Sequence, residues 1–301
     1  MQSLLTAYER GENIMKLLQE GKSEEEMTRE RIRHIEVAYD LQAGSYVRAM
    51  QNTEHRAQKS AICQEMAELV HRYIPQPKTL LKGGVGEAVT LVPFLDAFPN
   101  SIENLYGFDI SWSRLQYARQ FLDENAYPST QLCVGALQAL PFVNDAFDLI
   151  MTSHALEPNG GDEHNILEEL FRVSAGIVAL FEPSYEFADE VGKKRIIEKG
   201  YIKHLDKVAE SVGFDVLYYA PLSSAINPQN PTAALVLHKP NAASRLSDKK
   251  YACPQAKTSL IKKEGGYFSD ESFLFYPIVS DVPVLRVEHA LLASAMYAQD
   301  K

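Results

Sequence analysis

Lys78-Thr79-Leu80-Leu81-Lys82-Gly83-Gly84-Val85-Gly86-Glu87-Ala88 is the stretch that decides the fold. The apolar run at 79–81 reads as a short buried strand, and three glycines, Gly83, Gly84 and Gly86, break it. Ala88-Val89-Thr90-Leu91-Val92-Pro93-Phe94-Leu95 then starts a helix-like pattern, over about 87–96. Strand, glycine turn and helix bring backbone N–H groups close to a nucleotide-like ligand. Glycine serves there because a Cβ would block either the turn or the ligand's approach.

Outward from this turn, apolar runs alternate with amphipathic segments from 78 to 240. Strands are expected at 79–82, 104–108, 131–134, 147–152, 176–181, 214–220 and 233–238, with helices at about 112–124, 163–173 and 201–212. Repeated strand–helix units predict an α/β fold whose parallel sheet is covered on both faces and binds ligands at the carboxyl ends of its strands. Residues 1–77 read as a helical cap. Leu4, Leu5, Tyr8, Ile14, Leu17 and Leu18 recur at helical spacing, and Ser23 with Glu26 resembles a capping box. A further helix at about 56–74 stops at Ile74-Pro75-Gln76-Pro77. The polar stretch 241–250 reads as a linker, and 251–301 as a small β-rich module with strands near 258–262, 266–268, 273–277 and 283–286 and a final helix at 287–298.

Composition narrows the function. The chain has 301 residues, 46% hydrophobic and 23% charged, as an ordinary globular protein does. It has no apolar run of membrane-spanning length, and its first ten residues lack the basic and apolar regions of a signal peptide, so a cytoplasmic location is expected. Cys63, Cys133 and Cys253 lie far apart and read as structural thiols. A net charge of −10 disfavours a grip on long nucleic acid and favours a small substrate.

The chemistry is carried by a constellation. Asp109 ends the second strand, 23 residues after Gly86, where a carboxylate can accept both hydroxyls of a ribose. Next come Gly135-Ala-Leu-Gln-Ala-Leu-Pro-Phe142 and Asp145-Ala-Phe-Asp-Leu-Ile-Met-Thr-Ser-His154-Ala-Leu-Glu157-Pro158. Glu169-Leu-Phe-Arg172-Val precedes the strand that ends Phe181-Glu182-Pro183. A dinucleotide fingerprint requires Gly or Ala where Val89 stands, which argues against an NAD enzyme.

Over about 78–240 the sequence resembles the class I S-adenosylmethionine-dependent methyltransferases, with their Rossmann-like seven-stranded sheet. The resemblance implies S-adenosyl-L-methionine as cofactor. It places Gly84 and Gly86 against the methionine part, Asp109 at the ribose, and Ala136, Leu137 and Gln138 at the adenine, with Ile110 a further cofactor-binding candidate. Ser153, His154 and Glu157 fall beneath the reactive methyl, with His154 and Glu157 as candidate catalytic residues. Two positions depart from the family pattern: Lys82 and Ala136 stand where acids are usual. A lysine there would oppose the cofactor's ammonium unless it points away. The tail, from Tyr251-Ala-Cys253-Pro254 to Val282-Pro-Val-Leu-Arg286, is similar to the zinc-ribbon-like modules that accompany some RNA and protein methyltransferases. Ala256 replaces the second cysteine, so the module is expected to be metal-free.

Other residues complete the picture. Tyr39 and Tyr46 stand between two N-terminal helices, where they can line a substrate cavity or simply pack. His154 has the chemistry of a general base near neutral pH, or can bond backbone in its loop. Tyr185, past the fifth strand, is a substrate-side candidate. In Asn227-Pro-Gln-Asn-Pro-Thr232, Asn227 or Asn230 can bond a substrate, though turn chemistry accounts for both. The expected activity is O- or N-methyl transfer to a small polar metabolite, with no membrane partner and with a homodimer permitted. An RNA or protein methyltransferase and a non-catalytic interaction subunit are the alternatives.

Overall fold

The computed structural model describes residues 1–223, 230–242 and 250–298. Five helices come first: α1 (Gln2–Glu9), α2 (Ile14–Gln19), α3 (Glu24–Leu41), α4 (Ser45–Ala49) and α5 (Thr53–Tyr73). The capping box opens α3 as expected: Ser23 accepts from the Glu26 N–H while Glu26 accepts from the Ser23 N–H. The central strands and helices then alternate as β1 (Thr79–Gly83), α6 (Leu91–Ala97), β2 (Asn104–Asp109), α7 (Trp112–Glu124), β3 (Gln131–Val134), β4 (Phe147–Ser153), α8 (Glu163–Val173) and β5 (Ser174–Pro183). After them follow α9 (Glu190–Lys199), α10 (Leu205–Val212), β6 (Asp215–Pro221) and β7 (Thr232–His238).

The seven strands form one sheet in the order β3-β2-β1-β4-β5-β7-β6. Six of them run in one direction, and β7 runs antiparallel to both of its neighbours, β5 and β6. This corrects the all-parallel expectation. A parallel neighbour needs a crossover connection, and the short link between β6 and β7 permits only a reversal.

Side-chain alternation along the strands divides the core. Leu80, Leu105, Leu132, Leu149 and Ala179 point to one face, where α5, α6 and α7 pack. Leu81, Tyr106, Cys133, Ile150 and Val178 point to the other, beneath α8 and α10. No helix joins β3 to β4, so part of the second face is left to another cover. The C-terminal module supplies it: Tyr251, Cys253, Leu260, Tyr276 and Leu285 belong to the same apolar cluster as the sheet. Tyr251 stacks on Phe142 at 5.8 Å and meets Tyr267 edge-on at 5.2 Å. Glu169 of α8 binds both Arg172 and Lys257, which ties the module to the central domain.

The module's strands are β8 (Ile261–Lys263), β9 (Gly266–Phe268), β10 (Leu274–Val279), β11 (Val282–Pro283) and β12 (Leu291–Leu292). A single continuous helix at 287–298 does not form. A 3-10 turn (Val287–His289) and β12, which pairs with β10, precede the short α11 (Ser294–Ala298). Next to β11, Val284 bridges to Val134 and the Leu285 N–H donates to the Val134 carbonyl, so this segment covers the β3 edge. The Cys253 thiol accepts from the Ala256 N–H and contacts the Tyr276 and Ser272 hydroxyls. Among the described residues, no cluster of three or more His, Cys, Asp or Glu could hold a metal ion. No described helix is long and apolar enough to cross a membrane. Of the expected linker, 243–249 lies outside the described residues.

If the module is part of the core, Tyr251→Ala should lower the stability of the whole chain by about 3 kcal/mol, as large-to-small changes at buried aromatics do. Urea unfolding followed by far-ultraviolet circular dichroism should show one shifted transition. A separate early transition with the main one unmoved would contradict this.

Candidate functional site

The glycine turn sits at the carboxyl end of β1. Gly84 and Gly86 have φ of +56° and +57°, a region that L side chains rarely adopt. A Cβ on Gly84 would also lie 2.4 Å from the Ala155 Cβ. Residues 84–90 stay in turns, with Ala88 at φ +62°, so α6 starts at Leu91 rather than near 87. Asp109, at the tip of β2, holds the turn: its Oδ2 accepts from the Gly86 N–H at 2.8 Å and its Oδ1 from the Ser111 N–H at 3.0 Å.

A cavity of about 540 Å³ opens above this turn. Gly84, Gly86, Asp109, Ile110, Ala136, Leu137, Gln138, Ser153, His154 and Glu157 all line it, as do Tyr39 and Tyr46. Tyr185 lies outside the lining, with its ring 5.6 Å from that of His204. Asn227 falls outside the described residues.

The helical cap is fixed over the cavity by polar contacts. Glu87, fully buried, accepts from the N–H groups of Gly44 and Val47 at the start of α4. Asp40 at the end of α3 accepts from the Ser111 and Ser113 hydroxyls and from the Ser113 N–H. Arg114 donates to the Tyr39 carbonyl and lies 4.6 Å from the ring centroids of both Tyr39 and Tyr46. The two tyrosines therefore share a cation between their faces, a contact a sequence does not display.

His154 has φ +51° and ends at two partners. Its Nδ1 is 2.9 Å from Glu157 and its Nε2 is 2.8 Å from the Thr232 hydroxyl. With a carboxylate at Nδ1, the proton resides there and Nε2 is the acceptor. Glu157 also accepts from Asn230 Nδ2 at 3.2 Å. The Asn230 Oδ1 is buried with no hydrogen-bond partner among the described residues. Thr232 and the pairing of Asn230 with Glu157 were not legible in the sequence, because 73 residues separate the latter pair.

Beneath the loop lies Glu182, 2% exposed. It accepts from the Thr152 hydroxyl and from the N–H groups of Ala155, Leu156 and Glu157, at 2.8 to 3.3 Å. Burial pushes its carboxyl above the ordinary range, against the pull of His154 and these donors. Lys82, 1% exposed, turns away from the cavity and donates to the carbonyls of Gly83 and Gly84. Burial pushes its ammonium down to about 8, and the Glu182 charge opposes the shift.

Comparison with known proteins bears on this site. Residues 80–175 match a family described as the methyltransferase domain. That stretch is similar to a methyltransferase domain. The matched family binds S-adenosylmethionine. Its span holds the glycine turn, Asp109, the 135–142 segment and His154 to Glu157. No curated protein matches the sequence.

Solved structures share the fold at low identity. One is a chain of the complex between the Haloferax volcanii Trm112 methyltransferase activator and a methyltransferase: 16% identity, TM-score 0.53, over 67% of this chain and 98% of that one. Another is magnesium protoporphyrin IX methyltransferase from Synechocystis PCC 6803 with bound SAH, at 14% identity and a TM-score of 0.48, over 62% of this chain and 84% of that one. The first carries the likeness in fold.

The residues present fit the nucleoside end of S-adenosylmethionine. The turn leaves open space beside Gly86, where a Cβ would meet nothing nearer than Arg114 Nη1 at 3.8 Å. Asp109 lines the cavity with lone pairs free beyond its two backbone bonds.

Lys82 makes stability pH-dependent. Its ordinary value is 10.5 and its folded value is about 8, so between the two the unfolded chain holds a proton that the folded protein has shed. Stability contributed by this group therefore rises with pH across that window. Lys82→Met should remove the rise, a difference on the order of 2–3 kcal/mol in slope-derived stability between pH 7.5 and pH 10.5. Urea midpoints of both proteins across that range would test it; parallel curves would contradict it.

Proposed function

We propose that the protein is an S-adenosylmethionine-dependent methyltransferase acting on a small polar metabolite, by O- or N-methyl transfer. The observation that carries this reading is the cavity at the carboxyl ends of β1, β2 and β4, with the Gly84–Gly86 turn and Asp109 on one side and His154 with Glu157 on the other. The cavity's size is that of a small-molecule site, not of an open groove. In this reading residues 1–77 serve as a lid over the site, residues 78–240 as the catalytic domain, and 251–301 as a packing module, in a cytoplasmic enzyme.

Bound cofactor supplies an electrophilic methyl group on a sulfonium. Asp109 holds the ribose hydroxyls, and Ile110 and Leu137 wall the adenine, which takes backbone bonds in place of the missing acid at Ala136. The cap formed by α3, α4 and α5 keeps water out and fixes the alignment of the reactants. His154 accepts the acceptor's proton at Nε2, displacing the Thr232 hydroxyl from that position, while Glu157 holds Nδ1 and steadies the imidazolium.

The RNA or protein alternative calls for a basic patch from clusters such as Lys193-Lys194-Arg195 and Lys262-Lys263, and two of these lysines are already paired. Lys193 pairs with Glu190 and Lys194 with Glu198, within their own helix. Calorimetry with S-adenosylhomocysteine separates the enzyme from an interaction subunit. Binding is expected in the micromolar range, and Asp109→Ala should weaken it tenfold or more, the loss of a charge-assisted bond pair being about 1.5–3 kcal/mol. Circular dichroism of the variant checks that it folds. No binding at millimolar ligand would remove the enzyme reading, and unchanged affinity in a folded variant would remove the ribose assignment.

A further inference from the structure

Lys59 is a cation that lines the cavity. It projects from α5 into the cavity one turn after His55, which also lines it. Among the described residues, no hydrogen bond or ion pair engages its ammonium. Its nearest titratable neighbours are Cys63 and the like-charged Lys82. Burial pushes its own value below the ordinary range.

Among the described residues, no carboxylate that lines the cavity pairs with Lys59. Glu87 is occupied by Gly44 and Val47, Asp109 by Gly86 and Ser111, and Glu157 by His154 and Asn230. The Lys59 ammonium thus stands without a counter-ion at the end of the cavity marked by the Cys63–Thr90 contact. A half-buried ammonium without a counter-ion is unfavourable, and an anionic ligand group relieves it.

We infer that Lys59 binds the α-carboxylate of the cofactor's methionine part, and that this end of the site holds the amino acid by its negative rather than its positive group. The inference rests on the proposed function and explains how a lysine can stand at position 82. With Lys82 turned onto the carbonyls of its own loop, no side chain of that loop grips the cofactor's ammonium, and recognition passes to the opposite pole of the zwitterion. The cap thereby becomes part of the cofactor site, since α5 supplies the residue.

The test compares two ligands on the full chain by calorimetry. S-adenosylhomocysteine has the amino-acid group, whereas 5′-methylthioadenosine keeps the nucleoside and thioether and lacks it. Lys59→Met should weaken S-adenosylhomocysteine about tenfold or more and leave 5′-methylthioadenosine unchanged, with Lys59→Arg restoring most of the loss. Binding of 5′-methylthioadenosine also shows that each variant is folded. Unchanged affinity for S-adenosylhomocysteine in Lys59→Met, or an equal loss for both ligands, would overturn the inference while leaving the proposed cofactor in place. Failure of both ligands to bind the wild-type chain would overturn the proposed cofactor as well.

Discussion

Glu182 closes β5 as a carboxylate shut away from water, and the chain around it is arranged to keep it there. Three successive N–H groups, from Ala155 to Glu157, and the Thr152 hydroxyl point at its two oxygens. A buried charge costs several kcal/mol unless its polar atoms are satisfied, and these four donors do that. The loop after β4 cannot relax without leaving that carboxylate unsatisfied. This is what holds His154 at a positive φ and presents its ring to Glu157 and Thr232. On the other side of the cavity, Lys82 donates to the glycine turn's own carbonyls.

Within the cap, α5 packs on the sheet as part of its apolar cluster, whereas α3 and α4 are joined to this frame by polar contacts. Glu87, Asp40 and Arg114 each cross between the N-terminal helices and the central domain, and each does so through backbone groups. Such bonds specify position closely while burying little surface. The C-terminal module is held in the contrasting way, through stacked aromatic rings and a shared apolar cluster. Directional bonds therefore set α3 and α4 above the site, while α5 and the C-terminal module pack on opposite faces of the sheet.

Much of this was legible from residue patterns. All seven strands of the main sheet fall where the apolar runs place them, because buried strands advertise themselves by continuous hydrophobicity. Asp109 and the glycines were legible because their roles depend on backbone geometry at fixed spacing. α9 was missed: Val191, Ile196 and Ile197 give it a weak periodicity, and its signals are the Asp189 cap and the left-handed Gly200 at its end. The helix expected from 87 begins four residues later because Glu87 and Ala88 belong to the turn that anchors the cap. The module's place over the sheet had a signal that went unread. Residues 135–146 carry no helical pattern, so the face beside β3 needed a cover from elsewhere. Lys59 and Thr232 reach the site through tertiary contacts that no local pattern encodes.

The pairing of Val284 and Leu285 with Val134 has a consequence for how the molecule behaves among its own copies. An open strand edge is a template for another chain, and long flat edges seed aggregation. Here the β3 border is occupied from within the same polypeptide. The opposite border is β6, whose register breaks between Val216 and Tyr218 and which ends in Pro221. A break in register and a proline both spoil the regular ladder that a second sheet would need. The fold is thus guarded at both borders, by a segment of its own tail on one side and by irregularity on the other.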